Sequence, residues 1–187
     1  MDHARYSYMR RLCLYLATLC LVLPPAAALA ADRSALERDV RAALDKLTAT
    51  VPAAKSLSGS ATAVLMFPKI TQAGLGIGGQ YGNGVLFKGG QVAGYYNTSG
   101  ASYGLQAGAQ QFGDALLLMN DKAVSALGAN EGFEVGVGPS VVVLDEGKAK
   151  TLTTTTAKDD IYAFIFGQKG LMAGVGLQGN KITRLKD

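Results

Sequence analysis

The spacing of apolar positions changes character twice along the chain. Residues 12–23 form a nearly unbroken apolar run. Between residues 33 and 51 the spacing becomes helical: Leu36, Val40, Ala43, Leu44, Leu47 and Val51 fall on one stripe. Ser34-x-x-Glu37 predicts a capping box at the start of that helix. Pro52 ends the segment or opens a second short helix through Leu57. The polar face mixes Arg38, Arg41 and Lys46 with Asp39 and Asp45. A membrane-surface helix shows a cleaner basic face, so docking on the domain's own core is the favoured expectation.

From Ser60 onward the pattern is that of strands. Ala63–Phe67 reads as a buried strand stopped by Pro68. Gly74 to Gly78 alternates glycine with apolar residues, and the strand character runs on from Tyr81 to Phe87. Lys88-Gly89-Gly90 predicts a turn, with Gln91 to Asn97 returning. Tyr103 to Gln111 and Ala115 to Met119 read as a pair of strands around Gly113. Asn120-Asp121 predicts the cap of a short helix through Leu127. Phe133 to Gly138 and Val141 to Leu144 read as strands flanking Pro139-Ser140. Residues 145–160 are polar and read as a loop or exposed edge. Asp160 to Phe166 and Leu171 to Leu177 suggest a hairpin around Gly167–Gly170, and Lys181–Asp187 a short basic tail. Helices sit at the start and once in the middle, without β-α alternation. The fold class expected is therefore α+β: a strongly coiled antiparallel, glycine-rich sheet or small barrel, with an N-terminal amphipathic helix and one or two short helices.

Glycine at period two needs a reason, because glycine in a strand is entropically costly. Gly74, Gly76 and Gly78 share one strand face, as do Gly136 and Gly138, and Gly174 and Gly176. A face without side chains lets another layer approach closely or lets the sheet bend sharply.

The first 30 residues have the features of a secretory signal peptide. Arg5, Arg10 and Arg11 precede the apolar run, Pro24-Pro25 breaks it, and Ala28-Leu29-Ala30 gives the small-x-small pattern before Ala31. A run of about 12 residues is too short to span a bilayer core, which needs about 20. Leu19 stands where a lipobox needs a small residue, so Cys20 is not expected to carry lipid. The expected organisation is residues 1–30 removed and residues 31–187 forming one domain.

That cleavage changes the chemistry available. His3, Cys13 and Cys20 are the only His and Cys residues in the chain, and all would leave with the signal. The mature chain then lacks the parts for a Ser-His-Asp triad, a Cys-His pair, a Cys/His zinc site or a disulfide. Its 15 basic and 13 acidic residues give +2, too little to point to nucleic acid. No enzyme activity, metal or other cofactor is expected. Gly74-x-Gly76-x-x-Gly79 matches the dinucleotide fingerprint, but the strand-like Tyr81–Phe87 follows where that fingerprint needs a helix. Asp145-Glu146 and Asp159-Asp160 are adjacent acids; on a strand they point to opposite faces, and they read as solvated loop ends.

The blocks Ala63-Val64-Leu65-Met66-Phe67-Pro68 and Gly74-x-Gly76-x-Gly78-Gly79-x-Tyr81-Gly82-x-Gly84-Val85-Leu86 resemble the SYLF domain family. Tyr103-Gly104-x-Gln106-x-Gly108, Gly136-x-Gly138-Pro139 and Phe166-x-x-Lys169-Gly170-Leu171 follow in that family's order. The resemblance implies lipid binding: eukaryotic members bind phosphoinositides and anionic membranes, some with roles in actin regulation, and many bacterial members are exported. The charge-balanced first helix departs from the basic one of lipid-binding eukaryotic members. The leading expectation is a non-enzymatic phospholipid-binding protein of the bacterial periplasm or cell envelope, membrane-associated through anionic phospholipids. The candidate lipid-contacting residues are Lys69, Lys88 and Lys169 in loops, and Lys181, Arg184 and Lys186 in the tail. The alternatives are an envelope structural or interaction protein that binds another protein, and a small outer-membrane barrel.

Overall fold

The computed structural model describes residues 25–128, 132–135, 138–144, 158–170 and 180–186. The apolar run 12–23, the polar stretch 145–157 and the strand expected over Leu171–Leu177 lie outside the described residues. Two units divide the chain, Met1–Ala35 and Leu36–Asp187. In the first, the described backbone is the opening of helix α1 (Pro25–Thr50). The capping box is overturned there. The helix is already formed at Ser34, whose hydroxyl donates back to the Ala31 carbonyl at 2.9 Å. Proline is favoured in a first turn and alanine propagates a helix best, so nothing in Pro25–Ala31 delays the start until Ser34.

In the second unit, α1 continues and is followed by α2 (Pro52–Ser60). Val40, Leu47, Val51, Ala54 and Leu57 are buried against Val64, Met66, Leu117 and Phe164 of the sheet. The helical stripe therefore docks on the core, as favoured above. Glu37 reaches across to accept the Tyr95 hydroxyl proton.

The sheet is mostly antiparallel and curled. Its six described strands are β1 (Ala63–Lys88), β2 (Gln91–Leu118), β3 (Phe133–Glu134), β4 (Val141–Leu144), β5 (Ile161–Gly170) and β6 (Lys181–Arg184). Gly89 and Gly90 form the two-residue β1–β2 turn, both with positive φ (+59° and +78°), the geometry such hairpins require. The edge of β2 not taken by β1 pairs with β5 along Gln110–Leu118 and with β6 along Tyr96–Ser99. β3 extends β6, and β4 pairs with β5 in parallel, the one departure from antiparallel order among the described strands. The basic tail is thus a strand from Lys181 to Arg184.

Two expected breaks are absent. Pro68 does not stop β1; it sits in a register shift between Phe67 and Ile70, where an irregular ladder does not need the N–H that proline lacks. Gly113 is not a turn but an interior position of β2. A Cβ there would lie 2.3 Å from the ring of Phe166 on β5, so the glycine makes room for an aromatic. Gly167 and Lys169 likewise lie within β5 rather than in a turn.

The period-two glycines double β1 over on itself. A Cβ on Gly74 would lie 2.4 Å from the Gly78 Cα, and one on Gly84 would lie 2.5 Å from the Met66 carbonyl oxygen. Leu75 to Ile77 of β1 faces Ala107 to Tyr103 of β2, a shift of register at the bend. The concave side of the curl buries Leu65, Phe67, Ile70, Leu116, Ile165 and Ile182 together with Ala123 and Leu127 of α3 (Asp121–Leu127). Asn120 caps α3 as expected, its side chain accepting the Ala123 N–H at 3.0 Å.

Asp160 is more than a solvated loop end. Its carboxylate accepts from Asn120 Nδ2 (2.8 Å), Lys122 Nζ (3.0 Å) and the Ser140 N–H (3.0 Å), joining α3 to the starts of β4 and β5. These hydrogen bonds, that of Asn120 foremost, hold its carboxyl down at about 2.

Candidate lipid-binding surfaces

A groove of about 430 Å³ opens beside the β1–β2 turn. α1 contributes Arg41 and Leu44, α2 contributes Lys55 and Ser58, and Val64, Phe87, Gly89 and Gly90 complete the wall. Helical spacing explains the first pair: Leu44 turns toward the core while Arg41 sits at the rim of the same helix face. The Arg41 guanidinium lies 4.8 Å from the centre of the Phe87 ring, a cation–π contact that fixes its position. Among the described residues neither Arg41 nor Lys55 forms an ion pair. Two cations without counter-ions among those residues, above an apolar floor, suit a ligand with an anionic head and an apolar body. The expected lysines did not include either residue, because they sit on separate helices and only tertiary packing brings them together.

The six expected residues do not form one cluster. Lys88 is exposed at the hairpin turn and pairs with Asp121 at 3.7 Å. Lys169 pairs in register with Gln111 and through it with Thr71, placing it on the outer face two positions from Lys69. Lys181 and Arg184 lie along β6 opposite Ser99 and Tyr96. Arg184 Nη2 donates to the Ala93 carbonyl at 3.4 Å, and Lys186 follows beyond the strand. Lys181 also faces Glu134 on β3. The cations therefore fall into separate groups.

A third feature is internal. On the concave side the apolar lining gives way to buried Gln72, Gln80, Thr98, Gln110, Asp114 and Asn180. Gln110 Nε2 donates to Gln72 Oε1 at 2.8 Å. Gln80 Nε2, Asn180 Nδ2 and Asp114 Oδ1 have no hydrogen-bond partner among the described residues. Burial raises the Asp114 carboxyl to about 8, offset in part by the Ala115 N–H, so at neutral pH the group is mostly the uncharged acid. Nothing in the sequence marked it, since a single Asp before Ala115-Leu116-Leu117-Leu118 reads as a strand end.

The fold is that of an α+β domain with a curled, mostly antiparallel sheet. No described helix is long and apolar enough to cross a membrane. Residues 99–187 match the family model described as "Ysc84: Las17-binding protein actin regulator". This supports the SYLF family assignment over those residues, which hold the blocks Tyr103–Gly108, Gly136–Pro139 and Phe166–Leu171; the blocks within residues 63–86 lie outside the matched span. No curated protein matches the chain.

Proposed function

We propose that the protein is a non-enzymatic phospholipid-binding protein, exported by residues 1–30 and active at the periplasmic side of a bacterial envelope. The observation that carries this reading is the groove. Arg41 and Lys55 would meet a phosphate, and Leu44, Val64 and Phe87 would meet the glycerol and first methylenes behind it. At this end the helices α1 and α2 pack on one face of the sheet and α3 on the other. A membrane-spanning barrel instead needs a bare apolar outer band, so the sheet favours the binding module over the barrel. The family description speaks of Las17 binding and actin regulation. An exported chain would not meet actin, so the binding-module character is carried over and the named partner is not.

Co-sedimentation of the exported protein with vesicles tests the reading. Binding to anionic phosphatidylglycerol vesicles should exceed binding to neutral phosphatidylcholine vesicles. A basic residue at an anionic surface is worth about 1 kcal/mol, so Arg41→Glu with Lys55→Glu should weaken binding by roughly 10-fold or more. The net charge of +2 makes the salt dependence shallow, since screening acts over a Debye length of about 8 Å at physiological salt. Folded protein that binds no vesicle would shift the reading to the protein-interaction alternative, which the family description favours.

A further inference from the structure

At the opposite end of β1 and β2 from the groove, three large hydrophobic side chains stand in solvent. Leu75 is 83% exposed, Ile77 69% and Tyr81 58%. They sit on and just past the bend, and the bend explains their exposure. Gly74 and Gly78 meet on the inside, where a Cβ would strike backbone; the residues between them turn outward. Such exposure within one short segment is unusual for side chains of this size, and clustered apolar exposure marks an interaction surface.

The charge pattern names the partner. From Lys46 through Gly113 the sequence contains no Asp or Glu. The first acid after that stretch is Asp114, which is buried on the concave side. β5 and residues 180–186 contain no acid either. The neighbouring charges are cations: Lys69 on the approach to the bend, and Lys169 on the row of Thr71 and Gln111. Lys181 lies on the row of Tyr81 and Ser99, with Glu134 beyond it on the far side from Tyr81. An apolar point with basic shoulders, and with no acid in front of it among the described residues, is complementary to an anionic surface with an apolar interior. Tyrosine is at home at the level between the two, its ring apolar and its hydroxyl wet.

We infer that the bend Leu75–Tyr81 inserts shallowly into the outer layer of an anionic phospholipid bilayer, with Lys69 and Lys169 resting on the headgroups. This rests on the membrane part of the reading above but not on the groove. The groove lies at the far end of the strand, Ile77 to Lys88 spanning about 35 Å of contour at roughly 3.3 Å per residue, so variants at the two surfaces can be read separately.

The chain has no tryptophan, so Tyr81→Trp provides a single fluorescent reporter. With the exported protein and vesicles of phosphatidylglycerol and phosphatidylcholine, emission from the introduced indole should shift to the blue and be quenched by brominated acyl chains. Leu75→Ser with Ile77→Ser should lower vesicle affinity roughly 10-fold or more, from the lost apolar burial. That loss should persist at high salt. The groove variant Arg41→Glu with Lys55→Glu, made in the Tyr81→Trp background, should need more lipid to bind but reach the same blue shift at saturating lipid. If the wild type binds vesicles while the double-serine variant binds equally well, or the introduced indole stays solvated, the inference is overturned and the groove reading stands. If the double-serine variant does not fold, the emission of the Tyr81→Trp protein alone decides. If the wild type binds no vesicle, both readings fall together.

Discussion

The two ends of the doubled hairpin are built from the same two strands yet packed in opposite ways. Near the groove, alternate residues of β1 enter different cores: Leu65 and Phe67 face α3 and β6, while Val64 and Met66 face α1 and α2. Near the bend, no described element covers the outer face, and Leu75 and Ile77 are exposed. The concave side changes too, from leucine and phenylalanine to Gln72, Gln80 and Gln110. Hydrophobic burial stabilises in proportion to the area removed from water, so stability should be concentrated at the groove end. The bend end is left with local contacts and is free to use its apolar side chains on a partner.

The sharpest way to break this comparison is through the glycines. Gly84 sits where a Cβ would lie 2.5 Å from the Met66 carbonyl oxygen and 2.5 Å from the Phe67 ring. The carbonyl is backbone and cannot step aside. Gly84→Val should cost about 3 kcal/mol or more, visible as a large drop in the urea midpoint. Gly79, close to the bend, has only the Gly100 carbonyl oxygen at 3.7 Å, an ordinary contact. Gly79→Ala should stay within about 0.5 kcal/mol of wild type. Equal losses at both positions would show that Gly79 is packed as closely as Gly84.

A second test lies on the helical layer. Leu47 is 2% exposed and packs with Val40, Leu57 and the sheet. Leu47→Ala should cost about 2–4 kcal/mol, the lost transfer energy plus the cavity left behind. The same change measured by vesicle binding at fixed folded concentration should show little. A loss of binding without a loss of stability would make α1 a membrane element and reverse the assignment of its apolar stripe.

What could be read from the residues follows the range of the interactions concerned. The Gly89-Gly90 turn, the Asn120 cap and the helical stripe of Leu36 to Val51 are set by neighbours within a few positions, and all three are found in the fold. Pro68 and Gly113 misled because their local preference is to break a strand. A register shift accommodates the first, and the ring of Phe166, 53 positions away, explains the second. Lys181–Arg184 looked like a tail because four residues with one buried side chain, Ile182, carry almost no periodicity; pairing with β2 and β3 makes them a strand. The groove was invisible for a related reason. Arg41 and Lys55 lie on one side of Pro52 each, and Phe87 lies on a distant strand.

Between the two ends sits Asp114, in register with Phe67 and Ile165. Its carboxyl lies at about 8 when folded against an ordinary 3.8. Across that window the folded chain keeps a proton that the unfolded chain has released, so stability falls as pH rises from about 4 to 8. Asp160 acts in the other direction. Held at about 2, its carboxylate contributes stability above its ordinary range that is lost as pH falls from about 4 toward 2. Asp114→Asn mimics the neutral acid. It should flatten the slope between about pH 5 and 8 and raise stability at the upper end by about 1–3 kcal/mol, the usual penalty of a poorly satisfied buried polar group. Denaturation midpoints across that range measure it; an unchanged slope would mean that Asp114 is ionised at neutral pH and has found a partner.

The smallest expected effect on stability is at the bend itself, and it separates the two ends most cleanly. Leu75 keeps 83% of its surface in water, so folding gains almost nothing from its side chain. Leu75→Ser should therefore change the melting temperature by no more than the equivalent of about 0.5 kcal/mol, the usual range for surface positions. A soluble protein gains nothing in its free state from an exposed leucine of this kind, whereas insertion into a bilayer would recover much of its transfer energy, up to about 2 kcal/mol. The prediction is thus a split: stability unmoved, vesicle affinity reduced. Calorimetry with and without anionic vesicles reads both quantities in one experiment. A substantial drop in melting temperature without vesicles would show that Leu75 is covered in solution, and the bend end would then be packed like the groove end rather than reserved for a membrane.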